Sequence, residues 1–327
     1  MCIRDSCSRY VMIKNVISQI VQGKNLQDIL NKTLARIYSE GPVHITDMEI
    51  LSYFATYRKE LIDEHMNELL LYMGMYYKVS DVEPQTLKEL VQTTYRDVIK
   101  ADLGECYTPV QVNIIDSIKS NKCFSFSAPT STGKSHVFRR LILGSEKDIV
   151  IFVPSRALIN EYYITLCKNI PDKSINILTF VDKLNTLKAK RSIFILTPER
   201  ASDLFSRSGE FDIEYFLFDE AQLGEEISIR GLLFDSVVRR VSKFYPNAKM
   251  VFAQPFVANP EAQFGKNFIP DDVSLGVSYR QRNVGQIFYS YDKNENKFYH
   301  IGIDAKVMGS KSVSYTHLRA HETRSNL

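Results

Sequence analysis

The chain has 327 residues, of which 44% are hydrophobic and 24% are charged, and its formal net charge is +3. These values are typical of a folded globular protein of about two domains and argue against a disordered chain. The small net charge neither requires nor excludes nucleic acid as a partner. No apolar run approaches the roughly 20 residues that cross a bilayer, and no signal peptide is recognisable, so we predict no membrane association.

The cysteines form no C-x-x-C pair, and Cys106, Cys123 and Cys167 are scattered along the sequence. The histidines outside residues 313–327, which are His44, His65, His136 and His300, also lack the spacing of metal ligands. This pattern argues against a disulfide framework and a zinc site. It fits a reducing compartment, so we predict a cytoplasmic protein.

Both ends of the chain resemble translated sequencing-adaptor DNA. Residues 1–6, MCIRDS, are encoded by ATG-TGT-ATA-AGA-GAC-AG. Residues 313–327 contain VSYTHLRAHET, which resembles the reverse complement of such an adaptor read in another frame. We therefore leave both segments out of the fold prediction and expect the natural gene to continue past Ser312.

Residues 7–104 are predicted to form an all-helical accessory domain. One apolar stripe runs from Ile13 to Val21 and another from Leu26 to Ile37, with Gly23 between them. Their spacing of three and four residues is that of amphipathic helices. Further helices are predicted over residues 47–59, 61–76 and 84–100, and Gly104 is a stop signal.

A phosphate-binding loop is predicted at SAPTSTGKS, residues 127–135, between a strand signal over 123–127 and a helical period after it. Nucleotide phosphates and their magnesium are bound by main-chain amides at a helix N-terminus, a lysine and a hydroxyl. Lys134 supplies the cation and Ser135 the hydroxyl. The amides come from Thr130, Ser131, Thr132 and Gly133.

The sequence of this loop differs from the simple P-loop pattern at two positions. Ala128 stands where that pattern has glycine, and the Cβ of Ser131 limits positive φ in the middle of the loop. The alternative is therefore an ordinary turn before a helix.

An acidic pair after a buried strand supports the nucleotide site. Asp219 and Glu220 follow the apolar run YFLF of residues 215–218. In open parallel sheets, ligands bind at the carboxyl ends of the strands. Asp219 can hold the magnesium that Ser135 also contacts, and Glu220 can activate a water molecule. Without the upstream loop, this pair would be predicted as a solvated acidic turn.

The fold class predicted for residues 105–270 is α/β, with a parallel doubly wound sheet. Apolar runs over residues 149–153, 193–196, 216–218 and 250–253 are typical of strands covered on both faces. Thr108 can cap, and Pro109 can begin, a helix that presents Gln111. Residues 271–312 are predicted to be a linker with a β-hairpin formed by residues 284–291 and 297–303.

Together these motifs resemble those of superfamily 2 DEAD/DEAH-box helicases, with DEAQ as the variant box, over residues 106–311. The resemblance implies a RecA-like P-loop domain that binds ATP and Mg²⁺, with Gln111 reading adenine as in the Q motif. PSRALINEY, residues 154–162, resembles motif Ia, and LTPER, residues 196–200, resembles motif Ib. In the family both motifs line a nucleic-acid groove, which implies phosphate contacts from Arg156, Thr197 and Arg200. The alternative for the arginines is helix capping and surface charge.

Two further segments resemble the family less closely. AQPFVANPE, residues 253–261, stands at the place of motif III but does not match its usual Ser-Ala-Thr. The resemblance implies that Gln222 and Gln254 couple nucleotide state to nucleic acid. Residues 225–241 are similar to the Arg-Gly helix of Ski-like and Hel308-like helicases.

The predicted function is ATP hydrolysis coupled to movement on DNA or RNA, with Glu220, Asp219 and Lys134 as catalytic residues. In the family, arginine fingers come from a second motor domain, so we expect this chain alone to hydrolyse ATP poorly. One alternative is an interaction module with an inactive nucleotide site, and another is a P-loop kinase. A role in phage defence is a hypothesis from the divergent motor and the helical extension. The sequence leaves open the choice between DNA and RNA, the polarity of movement and the oligomeric state.

Overall fold

The computed structural model describes residues 13, 15–81, 83–129, 132–181, 189–255, 257–279, 288–292, 297–301 and 314–315. The chain divides into two compact units. One comprises Met1–Thr108 with Gln281–Leu327, and the other is Pro109–Arg280. In the described part of the chain, no helix combines the length and apolar character that crossing a membrane would require.

The N-terminal part of the first unit is helical, as predicted. Helix α1 covers residues 15–22. It is followed by α2 (Leu26–Glu40), α3 (Ile45–Tyr57), α4 (Lys59–Glu64), α5 (Met66–Tyr72) and α6 (Leu87–Leu103). Gly41 and Gly104 end α2 and α6 with positive φ. One side of each of the helices α1 to α5 is buried in a common core that includes Ile20, Leu30 and Phe54.

The predicted helix over residues 61–76 is wrong in its length. The chain instead forms α4 and α5, separated at His65, whose backbone lies at φ −106° and ψ 9°. No Gly or Pro marks this break, and apolar residues continue through it from Leu61 to Leu71. Periodicity alone therefore could not show where the helix ends.

The second unit contains a seven-stranded parallel sheet with the order β3-β4-β2-β5-β6-β1-β7. Its strands are β1 (Cys123–Ser127), β2 (Asp148–Phe152), β3 (Ile175–Leu178), β4 (Arg191–Leu196), β5 (Ile213–Phe218), β6 (Lys249–Gln254) and β7 (Ser274–Ser278). Its helices are α7 (Pro109–Ser120), α8 (Lys134–Gly144), α9 (Arg156–Asn169), α10 (Ser202–Ser206), α11 (Ile229–Phe244) and α12 (Ala262–Lys266). The predicted α/β class is confirmed.

Stacked aromatic side chains fill the centre of this unit. The rings of Phe218 and Phe252 lie 4.7 Å apart on neighbouring strands, and those of Phe152 and Phe218 lie 5.2 Å apart. A buried aromatic ring removes about 150–250 Å² of surface from water, so such rings dominate core energetics. These rings fix the relative positions of β2, β5 and β6, whose carboxyl ends carry candidate site residues.

The sheet extends beyond the predicted domain boundary at residue 270. Strand β7 pairs in parallel with β1, so residues 274–278 belong to the sheet and not to the linker. Its signal is weak because the strand is short and only half-buried. A Cβ on Gly276 would lie 2.6 Å from the Cβ of Glu261, so glycine permits this close approach.

The predicted hairpin is present, with slightly shorter strands. β8 (Phe288–Asp292) pairs antiparallel with β9 (Lys297–Ile301). A short third strand, β10 (Ser314–Tyr315), pairs with β9 and lies in the segment that resembles adaptor sequence.

Candidate functional site

The predicted phosphate loop lies between β1 and α8. Ala128 is fully buried after β1, and Gly133 adopts φ +78° immediately before α8. Positive φ strains residues that have a Cβ, which explains the glycine. The first amides of α8 point toward the loop, as an anion site at a helix N-terminus requires. Thr130 and Ser131 lie outside the described residues.

Lys134 and Thr132 form hydrogen bonds within the loop itself. Lys134 Nζ donates a hydrogen bond to the carbonyl oxygen of Ala128 at 3.1 Å. The amide of Thr132 donates to the carbonyl of Pro129 at 3.0 Å. Burial lowers the pKa of Lys134, while the nearby carboxylates of Glu220 and Asp219 act in the opposite direction. Lys134 therefore lies in the electrostatic field of the acidic pair.

Gln111 reaches the loop from α7. Its Nε2 donates a hydrogen bond to the carbonyl oxygen of Thr132 at 2.9 Å. The side chain is buried, and it occupies space beside Gly133. Gln111 thus fixes the conformation of the phosphate loop. Its predicted contact with adenine stays a prediction.

The two predicted magnesium ligands share one neighbour, Tyr162 of α9. The Tyr162 hydroxyl donates to Asp219 Oδ2 at 2.8 Å and also forms a hydrogen bond with the side chain of Ser135. Burial raises the pKa of Asp219, and the Tyr162 hydrogen bond opposes that shift. Burial likewise raises the pKa of Tyr162 well above its usual value, with Asp219 adding to the effect. The phenol is therefore a stable hydrogen-bond donor at neutral pH.

Glu220 and Gln222 form a second polar pair at the end of β5. Glu220 adopts φ +53°, which is uncommon for a residue with a side chain. Gln222 Nε2 donates to Glu220 Oε2 at 2.5 Å. The predicted water-activating carboxylate is thus held by the predicted coupling residue.

The other predicted coupling residue, Gln254, lies inside the sheet layer. Its side chain is 0% exposed and donates to Ser125 Oγ at 2.9 Å. Its carbonyl accepts from the amide of Ala128 at 3.0 Å. Any coupling role of Gln254 would therefore act through β1 and the start of the phosphate loop.

The predicted nucleic-acid residues follow two adjacent strands. β2 pairs with β4, so Arg156 and Arg200 follow strands that end at the same edge of the sheet. Both arginines are exposed, and Arg200 Nη1 donates to the carbonyl of Thr179 at 3.1 Å. Thr197 is buried, and its side chain forms a hydrogen bond with Glu199. The structure therefore brings the two arginines to the same end of the sheet, whereas the Thr197 side chain is buried in the protein interior.

Arg230, at the start of α11, connects these two segments. Its Nη2 donates to the carbonyl oxygen of Pro154, and its Nε lies 3.3 Å from Glu199 Oε1. A Cβ on the next residue, Gly231, would overlap the carbonyl oxygen of Glu226. Sequence reasoning gave no role to Arg230 or Tyr162. The Arg-Gly pair was a signal for Arg230, whereas no local pattern indicated Tyr162.

Comparison with known proteins supports the sequence resemblance. Residues 108–253 match the family model described as DEAD/DEAH box helicase. The matched segment is 146 residues long (253 − 108 + 1), a little less than half of the 327-residue chain. The matched segment contains the phosphate loop, the acidic pair and both arginine-bearing segments, while Gln254 follows its last residue. The finer likeness to Ski-like and Hel308-like helicases stays a prediction.

One curated relative is anti-bacteriophage protein B of Escherichia coli (strain K12). It is 30% identical over 133 residues, which are 40% of this chain and 17% of that protein. The chain thus spans less than a fifth of the relative's length.

Three solved helicase structures show limited similarity. A crystal structure of the DUF1998 helicase MrfA bound to DNA has 16% identity and a TM-score of 0.44, covering 57% of this chain and 29% of that chain. Its complex with DNA and AMPPNP has 17% identity and a TM-score of 0.45, with coverages of 56% and 29%. A hypothetical ATP-dependent RNA helicase from Sulfolobus tokodaii has 17% identity and a TM-score of 0.41, and 57% of each chain is covered.

The polar groups at the phosphate loop and the acidic pair fit a nucleotide and a magnesium ion. The buried Asp219 carboxylate and the Ser135 hydroxyl share the same phenol, so two oxygen donors of the kind that magnesium prefers lie together. Among the described residues, the buried Thr132 Oγ1 and Gln222 Oε1 have no hydrogen-bond partner. Buried polar atoms without partners are rare, and a polar ligand would satisfy them.

Proposed function

We propose that this chain carries the ATP-binding domain of a helicase or translocase that couples ATP hydrolysis to the remodelling of DNA or RNA. The observation that carries the proposal is the shared Tyr162 contact. It brings Ser135 of the phosphate loop and Asp219 of the acidic pair together, although 84 residues separate them (219 − 135). The match to the helicase family over residues 108–253 supports the same conclusion.

Lys134 and the amides at the start of α8 are the groups that would bind the β and γ phosphates. In the structure Lys134 Nζ lies on the Ala128 carbonyl, so phosphate would replace that contact with a stronger, charge-assisted one. Ser135 and Asp219 are the residues that would hold magnesium. The ion would neutralise charge on the phosphate oxygens.

Glu220 is the residue proposed to orient and deprotonate the attacking water. A general base needs to reach the proton that it removes, and its efficiency depends on its orientation. The 2.5 Å hydrogen bond from Gln222 restrains one carboxylate oxygen of Glu220. A movement of Gln222 on nucleic-acid binding would therefore change the orientation of the Glu220 carboxylate, which is the proposed general base.

Arg156 and Arg200 are proposed to contact the phosphates of a nucleic acid. They are exposed and follow adjacent strands at one edge of the sheet. Phosphate contacts give binding that is independent of sequence and weakens as salt rises. Each lost phosphate contact would reduce the slope of log K against log salt by about 0.7 to 0.9.

The 327-residue chain is proposed to bind ATP and to hydrolyse it slowly. Arginine fingers contribute roughly 10³ to 10⁵ in rate, and the resemblance assigns them to a second motor domain. The test compares wild type with Glu220→Gln, using filter binding of labelled ATP and phosphate release. The variant should keep ATP affinity and lose residual turnover. Rapid nucleic-acid-stimulated turnover by the wild-type chain would contradict the prediction of slow hydrolysis.

An interaction module with an inactive nucleotide site is the competing function. The mismatch at residues 253–261 and the contact between Lys134 and its own loop favour it. This alternative predicts the same residual turnover in wild type and Glu220→Gln. It also predicts that nucleic-acid affinity is the same with and without ATP.

We also propose a role in defence against bacteriophage for the protein that contains this helicase domain. The support is the 30% identity over 133 residues to anti-bacteriophage protein B. The test is phage plating on bacteria that express the complete gene or its Lys134→Ala variant. Protection that requires Lys134 would support the role, and equal plaque counts with and without the gene would refute it.

A further inference from the structure

Tyr162 occupies a position that nucleotide chemistry does not itself require. It lies in α9, 8% exposed, and its hydroxyl contacts the two side chains proposed to hold magnesium. A pocket whose lining includes Ser135 and Leu166 lies beside the ring. Because one side of the ring borders this open space, packing alone does not fix the orientation of the ring. The hydrogen bonds of the hydroxyl contribute to that orientation.

The hydrogen bond from Tyr162 orients the Asp219 carboxylate. Asp219 Oδ1 accepts from the amide of Glu220 at 3.1 Å, while Oδ2 accepts from Tyr162 at 2.8 Å. One donor on each oxygen fixes the plane of the carboxylate and leaves further lone pairs for a cation. Residues that hydrogen-bond to metal-binding groups often change metal affinity 10- to 100-fold when they are replaced.

The same helix begins at the proposed nucleic-acid surface. Arg156 is its first residue and is exposed, and Ser155 caps the helix by accepting from the amide of Leu158 at 3.3 Å. Six residues at 1.5 Å each place Tyr162 about 9 Å further along the axis. A helix is stiff over this length, so a displacement of Arg156 would move the Tyr162 hydroxyl relative to Asp219.

We infer that Tyr162 is a positioning residue through which α9 links the nucleic-acid surface at Arg156 to the magnesium-binding carboxylate of Asp219. The inference rests on the proposed function. It adds a reciprocal effect, because a ligand that changes the affinity of a second ligand must itself be affected to the same extent.

The test measures the dissociation constant of a fluorescent ATP analogue for the 327-residue chain. The analogue is titrated into each protein in three buffers, which contain Mg²⁺, EDTA, or Mg²⁺ plus a saturating oligonucleotide. The oligonucleotide is single-stranded DNA in one series and single-stranded RNA in another. The variant is Tyr162→Phe, which keeps the ring and removes the hydroxyl. The control is Tyr163→Phe, at the adjacent and 41% exposed position. Thermal unfolding of each variant checks that it is folded.

We expect Tyr162→Phe to lose about tenfold in nucleotide affinity with Mg²⁺ and nothing with EDTA. At least one oligonucleotide should change nucleotide affinity in wild type and in Tyr163→Phe, but not in Tyr162→Phe. The inference is overturned if Tyr162→Phe keeps the wild-type effect of Mg²⁺ or of the oligonucleotide. It is also overturned if wild type binds nucleotide without responding to either oligonucleotide. A wild-type chain that binds no nucleotide at all would instead contradict the proposed function.

Discussion

The side-chain amide of Gln111 occupies the space into which a Cβ at position 133 would project, with Nε2 only 2.6 Å from that point. The same amide donates to the carbonyl of Thr132, so the contact and the hydrogen bond depend on each other. Gly133 therefore serves two purposes, since it permits φ +78° and leaves room for Gln111.

Gly133→Ala is expected to lower the free energy of unfolding and to weaken nucleotide binding. Left-handed backbone costs a residue with a Cβ about 1–2 kcal/mol, and the overlap with Gln111 adds to this. The measurement is chemical denaturation in a double-mutant cycle with Gln111→Ala. Removal of the Gln111 amide should reduce the cost of Gly133→Ala. Equal costs in the two backgrounds would show that the overlap is irrelevant.

Arg230→Ala is expected to weaken oligonucleotide binding about five- to tenfold and to leave nucleotide affinity unchanged. Arg230 holds the carbonyl of Pro154 and the carboxylate of Glu199, so its loss would loosen both nucleic-acid segments. Loss of a hydrogen bond to a charged group costs about 1.5–3 kcal/mol when the bond is well formed, and less at exposed sites.

Salt titration distinguishes positioning by Arg230 from direct phosphate contact. A positioning residue leaves the slope of log K against log salt unchanged, whereas a lost phosphate contact reduces it by about 0.7 to 0.9. The matched control is Lys243→Ala, which removes one charge at the exposed other end of α11. A reduced slope in Arg230→Ala alone would contradict the positioning role.

Gly231→Ala is expected to destabilise the unit that contains the parallel sheet by about 1–3 kcal/mol, because the new methyl group would overlap the carbonyl of Glu226. Gly265→Ala is the control, since no atom lies within 4 Å of a Cβ at that helical position. The control should be neutral or stabilising by up to about 1 kcal/mol. Urea denaturation of both variants checks the difference, and equal effects would contradict the close approach at Gly231.

Asp47→Asn is expected to raise the thermal stability of the helical domain at neutral pH. Burial raises the pKa of Asp47, although the adjacent Arg36 opposes that shift. The ionised form is thus disfavoured in the folded state, and stability falls as pH rises from the ordinary Asp value of about 3.9 through the raised value. Asn does not titrate, so the Tm of Asp47→Asn should exceed that of wild type by an amount that grows from pH ~4 to pH ~7. An advantage that shrinks over that range would contradict the assignment.

Local patterns in the sequence predicted the parts of the fold and site that depend on neighbouring residues. The strand before Ser127, the helix from Lys134 and the apolar strand before Asp219 all have strong local signals. Strands β3 and β7 did not, because both are short and only half-buried. The break at His65 has no Gly or Pro to mark it.

Long-range contacts between side chains could not be predicted in the same way. Tyr162 and Asp219 are 57 residues apart, and Arg230 and Pro154 are 76 apart. The order of the strands brings these residues together, and a single sequence does not contain that order as a local pattern. The burial of Thr197 and Gln254 also follows from packing, since Thr197 directly follows β4, Gln254 is the last residue of β6, and neither strand is at the edge of the sheet.

The most direct test of the proposed ATP site is calorimetric titration of a non-hydrolysable ATP analogue into the 327-residue chain in the presence of Mg²⁺. The wild-type chain should bind one equivalent, and Lys134→Ala and Asp219→Ala should each weaken binding at least about tenfold, because each removes a charged group that the phosphates or their magnesium would contact. His44→Ala, in the helical domain, is the control and should bind like wild type. Equal affinity in all four proteins, or no binding by wild type, would contradict the assignment of an ATP site to Lys134, Ser135 and Asp219.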